Sequence, residues 1–294
     1  MVTLQQLKYF CELARTEQLT KTAEALFVSQ STLSNTIINM EHQLGVQLFD
    51  RVGRSISLNA LGREYYHYAN EALTALQNAQ AIVDEFKGNA QTRVSLALEN
   101  ASVWTSFVRD FHRQYSDYTI NQVDCPNDNF RTKLLDREVD FAIAGIGDFS
   151  TDGLGCEILR EESLYLCVPK NHPLAGEKAV HLAQLRNESL ISLPKSTGFR
   201  RFCDNMLKKA GVKYQTSIEC ANVMRGQLVE AGFGVAITTQ ESYRQRVLGD
   251  NVVYIPIADD NTTRTIAIFW NARRHLSRAA EDLKKFFVDY IHWN

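Results

Sequence analysis

The stretch Thr20–Leu44, TKTAEALFVSQSTLSNTIINMEHQL, decides the fold of the front of the chain. It reads as two short helices around a sharp turn. Thr20 is placed to cap a helix over Lys21–Leu26, with Ala23 and Leu26 facing inward. Phe27 and Val28 make the turn, and Ser29 caps a second helix that runs to Leu44. The inward face of that helix is Leu33, Ile37, Met40 and Leu44, at helical spacing. Gly45 follows, where a left-handed residue ends a helix well. This is the grammar of a helix-turn-helix, whose second helix points its N-terminal residues into the DNA major groove. Gln30, Ser31, Thr32, Ser34 and Asn35 are the candidate readers, all short polar side chains able to bond base edges or phosphates.

Upstream, Leu4, Leu7, Phe10, Cys11 and Ala14 fall on one helical face. Downstream, Gln47–Phe49 and Ser55–Leu58 read as two strands around Asp50–Arg54, a small hairpin with Arg51 and Arg54 at its tip. Asn59 then caps a helix over Ala60–Lys87 that contains no Pro and has Gly62 as its one glycine. Its stripe is Leu61, Tyr65, Tyr68, Ala72, Leu76, Ala79, Val83 and Phe86. A helix of that length spans roughly 40 Å. It outreaches a small domain and is expected to pair with a copy of itself, with Tyr65, Tyr66 and Tyr68 as interface or surface aromatics. From Arg93 the pattern changes to alternating strands and helices, which predicts parallel-rich α/β sheets, as one domain or as two lobes around a cleft.

Composition narrows the function classes. The 294 residues are 45% hydrophobic and 22% charged, with a net charge of -2. A whole-surface nucleic-acid magnet is excluded, and a local DNA site is not. The apolar runs Leu164–Val168 and Ile266–Trp270 fall far short of the roughly 20 residues of a membrane span. With no signal peptide at the N-terminus, a cytoplasmic location is expected. The six cysteines are scattered, and Cys203 and Cys220 are expected to be inert buried thiols rather than a redox pair. Gly145-x-Gly147 follows a strand, but Ser150 stands where a dinucleotide fingerprint needs a third glycine. With no other catalytic motif, no enzyme activity, metal site or cofactor is assigned.

Leu4–Phe10 (LQQLKYF), Thr20–Leu26 (TKTAEAL), Val28–Ser34 (VSQSTLS), Met40–Arg51 (MEHQLGVQLFDR) and Leu58–Gly62 (LNALG) resemble the LysR-type transcriptional regulators. The resemblance implies an α/β chain with three parts. Residues 1–58 would form a winged helix-turn-helix. Residues 59–89 would form a linker helix that dimerises. Residues 90–294 would form a two-lobed effector domain similar to periplasmic binding proteins, with lobe I over about 90–161 plus 265–294 and lobe II over about 162–264. It also implies a homotetramer on an interrupted dyad operator in double-stranded DNA. Two positions depart from the family pattern: Ser31 stands where Pro is usual, and Asn35 where Arg is usual. Residues 1–58 also carry five basic and five acidic side chains, so one head is electrically neutral.

A crevice between α/β lobes lies at the carboxyl ends of the strands, where helix N-termini present free N–H groups. By resemblance it is where a small-molecule effector, often a carboxylate, binds. The candidate residues are Glu99, Asn100, Ser102, Gly145, Gly147, Ser196, Thr197 and Asn222. The plainer reading of Ser102, Thr197 and Asn222 is helix capping. Glu99 stands near a position commonly Ser or Thr in the family. Facing the cleft it would repel a carboxylate and favour a neutral or cationic ligand; it could equally face solvent or pair with an arginine such as Arg200. The rival reading of the whole chain is a small-ligand-binding protein or enzyme whose N-terminal unit docks to another protein.

Overall fold

The computed structural model describes residues 1–52, 55–87, 92–125 and 129–293. Contacts divide the chain into two compact units, Met1–Asn89 with Arg273–His275, and Ala90–Ala272 with Leu276–Asn294.

The first unit contains α1 (Leu4–Thr16), α2 (Leu19–Ala25), α3 (Gln30–Leu44), the hairpin strands β1 (Phe49–Val52) and β2 (Ser55–Leu58), and α4 (Ala60–Phe86). Its core is Phe10, Leu13, Ala23, Leu33, Ile37, Met40, Leu48 and Phe49. On α1, Tyr9, Cys11 and Ala14 are also buried, while Leu4 stays exposed. Ser29 caps α3 by accepting the Thr32 N–H, and Gly45 closes it at φ 72°. Thr20 does not cap α2. That helix starts at Leu19 after an extended Gln18, and Thr20 lies inside it. The first hairpin strand begins at Phe49 rather than Gln47, because the Leu48 and Phe49 N–H groups are turned onto the Glu41 carboxylate at 2.7 and 3.1 Å. Asn59 caps α4 by accepting the Gly62 N–H at 2.7 Å. A side chain at Gly62 would run into the Leu48 carbonyl, so glycine is required there. Tyr65 is not a free surface aromatic: its ring meets Phe10 edge-on at 5.3 Å.

The second unit contains β3 (Arg93–Leu98), α5 (Thr105–Gln114), β4 (Thr119–Asp124), α6 (Phe130–Leu135), β5 (Phe141–Gly145), β6 (Leu154–Pro169), β7 (Ser189–Ser192), α7 (Gly198–Lys209), β8 (Gln215–Glu219), α8 (Asn222–Glu230), β9 (Ala236–Thr239), α9 (Gln240–Arg244), β10 (Val252–Pro256), β11 (Thr263–Asn271) and α10 (Arg278–Trp293). β3 pairs with β4 and β5 in parallel, and β7 with β8. The expectation of parallel-rich sheets is corrected elsewhere. β11 runs antiparallel to β5 and β6, and β6 antiparallel to β9 and β10. The physical reason is β6, a 16-residue strand whose first half pairs with β11 and whose second half pairs with β9 and β10. One strand thus ties two apolar cores, one around Phe107, Phe141, Ile268 and Phe287, the other around Leu166, Leu190, Leu207 and Ile237.

Candidate DNA interface and effector cleft

The first turns of α3 present the predicted readers to solvent. Gln30, Ser31, Thr32 and Asn35 are exposed, Ser34 is half-buried, and Arg51 is exposed on the hairpin. Arg54 lies outside the described residues. The helix is held from behind by Leu33, Ile37 and Met40, all at or near zero exposure. Its polar tip is tied to its own cap: the Ser29 hydroxyl lies 2.8 Å from both the Ser31 and Thr32 hydroxyls. Asn35 is exposed, and its side-chain amide makes no hydrogen bond among the described residues. Beside them Phe27 is exposed and holds φ 55°, an uncommon conformation for a bulky residue, fixed by main-chain bonds from Phe27 and Val28 back to Glu24 and Ala23.

In the second unit a small cavity of about 40 Å³ is lined by Glu99, Asn100, Trp104, Phe199, Asn222, Arg225 and Arg264, among others. Of the candidate effector residues, Glu99, Asn100 and Asn222 reach its lining. Ser102 is exposed in a 3-10 turn before α5, whose N-cap is Trp104, so Ser102 caps nothing. Gly147 and Ser196 are exposed. Thr197 is the N-cap of α7, accepting the Arg200 N–H, while its hydroxyl donates to the Pro194 carbonyl at 2.9 Å. Asn222 is not the cap of α8, which is Ala221; its amide oxygen instead accepts from Arg225 at 2.9 Å.

Glu99 faces the cleft, and its partner is Arg264, not Arg200. One Glu99 oxygen accepts the Phe199 N–H at the start of α7 at 2.7 Å; the other accepts from the Arg264 guanidinium at 2.6 Å. Asp148 contacts the same Arg264 nitrogen and accepts the Gly145 N–H at 2.9 Å. Arg200 is spoken for by Asp204 at 2.6 Å and the Leu193 carbonyl. Gly145 and Gly198 admit this cluster closely, since a Cβ on either would meet Asp148 or Arg264 below 3 Å. The side chains of Arg264, Asp148 and Glu99 are 4%, 6% and 12% exposed. Burial works against the charge of Arg264, but Glu99 and Asp148 hold its pKa above the ordinary arginine value. Burial pushes Asp148 up to about 6; Arg264 opposes the shift and Glu99 adds to it.

Further along the lining, Arg225 is 3% exposed and bonds to Asn222 and to the Ile191 and Ile237 carbonyls, all uncharged, and burial lowers its pKa. Glu162 is buried near Arg160, which pairs with Glu241 at 3.1 Å and lies over the Trp104 ring. These arginines and carboxylates were missed in the sequence. Arg264 alone carried a local signal, as a charge near the start of the otherwise apolar strand β11; Arg225 lies in α8, Glu241 in α9, and Arg160 and Glu162 in the charged first half of β6. A larger recess of about 530 Å³ shares Val103, Trp104, Arg160 and Glu162 with the small cavity. Burial pushes the Cys203 thiol up to about 12, as an inert thiol requires. No group of metal-ligating side chains occurs among the described residues, and no helix among them is long and apolar enough to cross a membrane.

Residues 4–63 match the bacterial regulatory helix-turn-helix protein, lysR family, and residues 88–291 match the LysR substrate binding domain. The chain belongs to the LysR family. Among curated LysR relatives, the transcriptional dual regulator GltC of Bacillus subtilis is 29% identical, with 98% of this chain and 97% of the relative covered. The RuBisCO operon transcriptional regulator of Allochromatium vinosum is 25% identical over 98% of this chain and 96% of its own length. Among solved structures, a full-length OxyR from Pseudomonas aeruginosa superposes with a TM-score of 0.76 at 22% identity, covering 98% of each chain. CbnR in complex with its target DNA gives 0.58 at 20% identity, over 98% of this chain and 99% of that one. At those identities the two structures attest the fold alone.

Proposed function

We propose that this LysR-family chain is a cytoplasmic, non-catalytic transcriptional regulator that reads double-stranded DNA with the first turns of α3. Gln30, Ser31, Thr32, Ser34 and Asn35 would meet base edges and phosphates, and Arg51 would hold a phosphate. The observation that carries this reading is an exposed polar helix tip on a helix buried along its opposite face. Asn in place of the usual Arg at position 35 favours adenine over guanine. A neutral head binds weakly alone, and linked heads raise avidity about 10²–10⁴-fold. On α4, Leu61, Tyr68, Leu76, Ile82, Val83 and Phe86 remain exposed, an apolar surface suited to a second copy of the chain. The assembly that follows is a homodimer through α4, and a homotetramer on an interrupted dyad.

The cleft lined by Glu99, Asn100 and Asn222 takes a small-molecule effector, and the effector acts by binding one geometry of the assembly better than another. Footprinting on the DNA upstream of the chain's own coding region tests the proposal. Two separated protected stretches are expected. Absence of protection at low salt would leave a protein-docking role for the N-terminal unit.

A further inference from the structure

The effector cleft holds an anion already, and the chain supplies it. The start of a helix offers free N–H groups and a partial positive charge, which suit a carboxylate. In α7 the Phe199 N–H meets the Glu99 carboxylate at 2.7 Å, and the other oxygen of that group lies 2.6 Å from buried Arg264. Glu99 follows β3, in the core around Phe107, while Phe199 belongs to the core around Leu207. The contact therefore joins the two lobes. Arg201 adds a second tie, donating to the Asp148 carbonyl at 2.6 Å. Gly198 lies against the Asp148 side chain with no room for a Cβ, so the backbone at the start of α7 and Asp148 are in close contact at this point. The cavity beside Glu99 itself, about 40 Å³, has space for a few waters at most, where small-ligand sites commonly run to about 300–1,000 Å³; the recess of about 530 Å³ that shares Trp104 and Arg160 with it lies away from Glu99.

We propose that Glu99 is the residue that sets the charge class of the effector, as a tethered carboxylate seated on α7 and Arg264. This rests on the reading of the cleft as the effector site. An anionic ligand gains nothing at α7 unless it expels Glu99, so the part of an effector that approaches Glu99 in the resting cleft is neutral or cationic.

The test is chemical rescue in the full-length chain. Glu99→Ala removes a CH2–COO⁻ unit, which acetate replaces atom for atom. Acetate should raise the melting temperature of E99A saturably, by mass action, with about a tenfold gain in the folding equilibrium at ten times its Kd. Chloride at equal ionic strength should not. Wild type and Glu99→Gln, whose position is filled, should show no acetate response beyond that of chloride. Equal responses in wild type and E99A, or none in folded E99A, would overturn the proposal. Should E99A fail to fold, hydrogen exchange on wild type decides: the Phe199 amide is expected to be protected without any added ligand, and free exchange there would refute the seat. Neither readout involves DNA. A missing footprint would count against the regulator reading and leave these outcomes standing.

Discussion

Asp148→Asn tests the charge balance of the cleft. Two carboxylates, Glu99 and Asp148, converge on one nitrogen of Arg264 in a buried setting. Burial moves Asp148 from 3.8 to about 6, against the pull of Arg264 and with the push of Glu99. Between those two values the folded chain holds a proton that the unfolded chain releases. Stability from this group is therefore greatest below about pH 4 and falls as pH rises through about 6. Moving this carboxyl from 3.8 to about 6 makes ionised Asp148 cost on the order of 3 kcal/mol once the pH is well above 6. Asn has nearly the same shape and no charge. Near pH 4 the variant should match wild type, and at pH 7.5 it should be more stable by up to about 3 kcal/mol. Urea unfolding followed by the intrinsic fluorescence of the three tryptophans, of which Trp104 is buried, at half-unit pH steps, gives the difference curve. A flat difference would show that Asp148 does not titrate in this window. A variant that loses ground as pH rises would show that Arg264 dominates, and that the ionised pair stabilises the fold.

Arg51→Ala should weaken binding to all DNA sequences alike and lower the slope of log affinity against log salt by about 1, whereas Asn35→Ala should relax preference at one base pair by about 1–3 kcal/mol; uniform loss in both, measured by fluorescence anisotropy, would mean that α3 is not the reader. Glu41→Ala leaves the buried Leu48 and Phe49 N–H groups without their acceptor, and should destabilise the DNA-binding unit by about 2–4 kcal/mol in thermal unfolding, with Glu41→Gln costing less. Alkylation at pH 8 followed by peptide mass mapping should label exposed Cys156 first and leave Cys203 unmodified in the folded chain, since burial holds its thiol up to about 12.

The helix-turn-helix was readable because its contacts are local. Ser29, Leu33, Ile37 and Gly45 state a helix start, a buried face and a helix end within one short stretch. The first half of β6 was not readable. Residues 154–162, LGCEILREE, carry Glu157, Arg160, Glu161 and Glu162, and hydrophobic alternation is blind to a strand whose inward positions are ion-paired. The sense of pairing has no local signature either. β11 lies antiparallel between β5 and β6 although its composition suits a buried parallel strand equally well. Ser102 looked like a cap because it precedes a helical pattern, but the chain enters α5 through a 3-10 turn and leaves it exposed.

The cleft shows the same divide more sharply. Glu99 reads in sequence as a carboxylate near a helix start, with Arg200 a natural partner. Arg200 has Asp204 one helical turn away. That local bond frees Glu99 for Arg264, which is distant in sequence and reaches it only because β11 inserts beside β5. The consequence for binding is quantitative. On the proposed reading, an effector seated in the 40 Å³ cavity itself, rather than in the adjoining recess of about 530 Å³, needs a more open state, and its apparent affinity would fall in proportion to the population of that state. On that reading the contacts of Glu99 with the Phe199 N–H at 2.7 Å and of Arg201 with the Asp148 carbonyl at 2.6 Å would set that population. Changes that loosen the ties without touching the lining, such as Arg201→Ala, should tighten effector binding, as measured by calorimetry, and should leave the charge preference of the site unchanged. Weaker binding in Arg201→Ala would show that the closed state, with Glu99 in its seat, is the one that holds the effector.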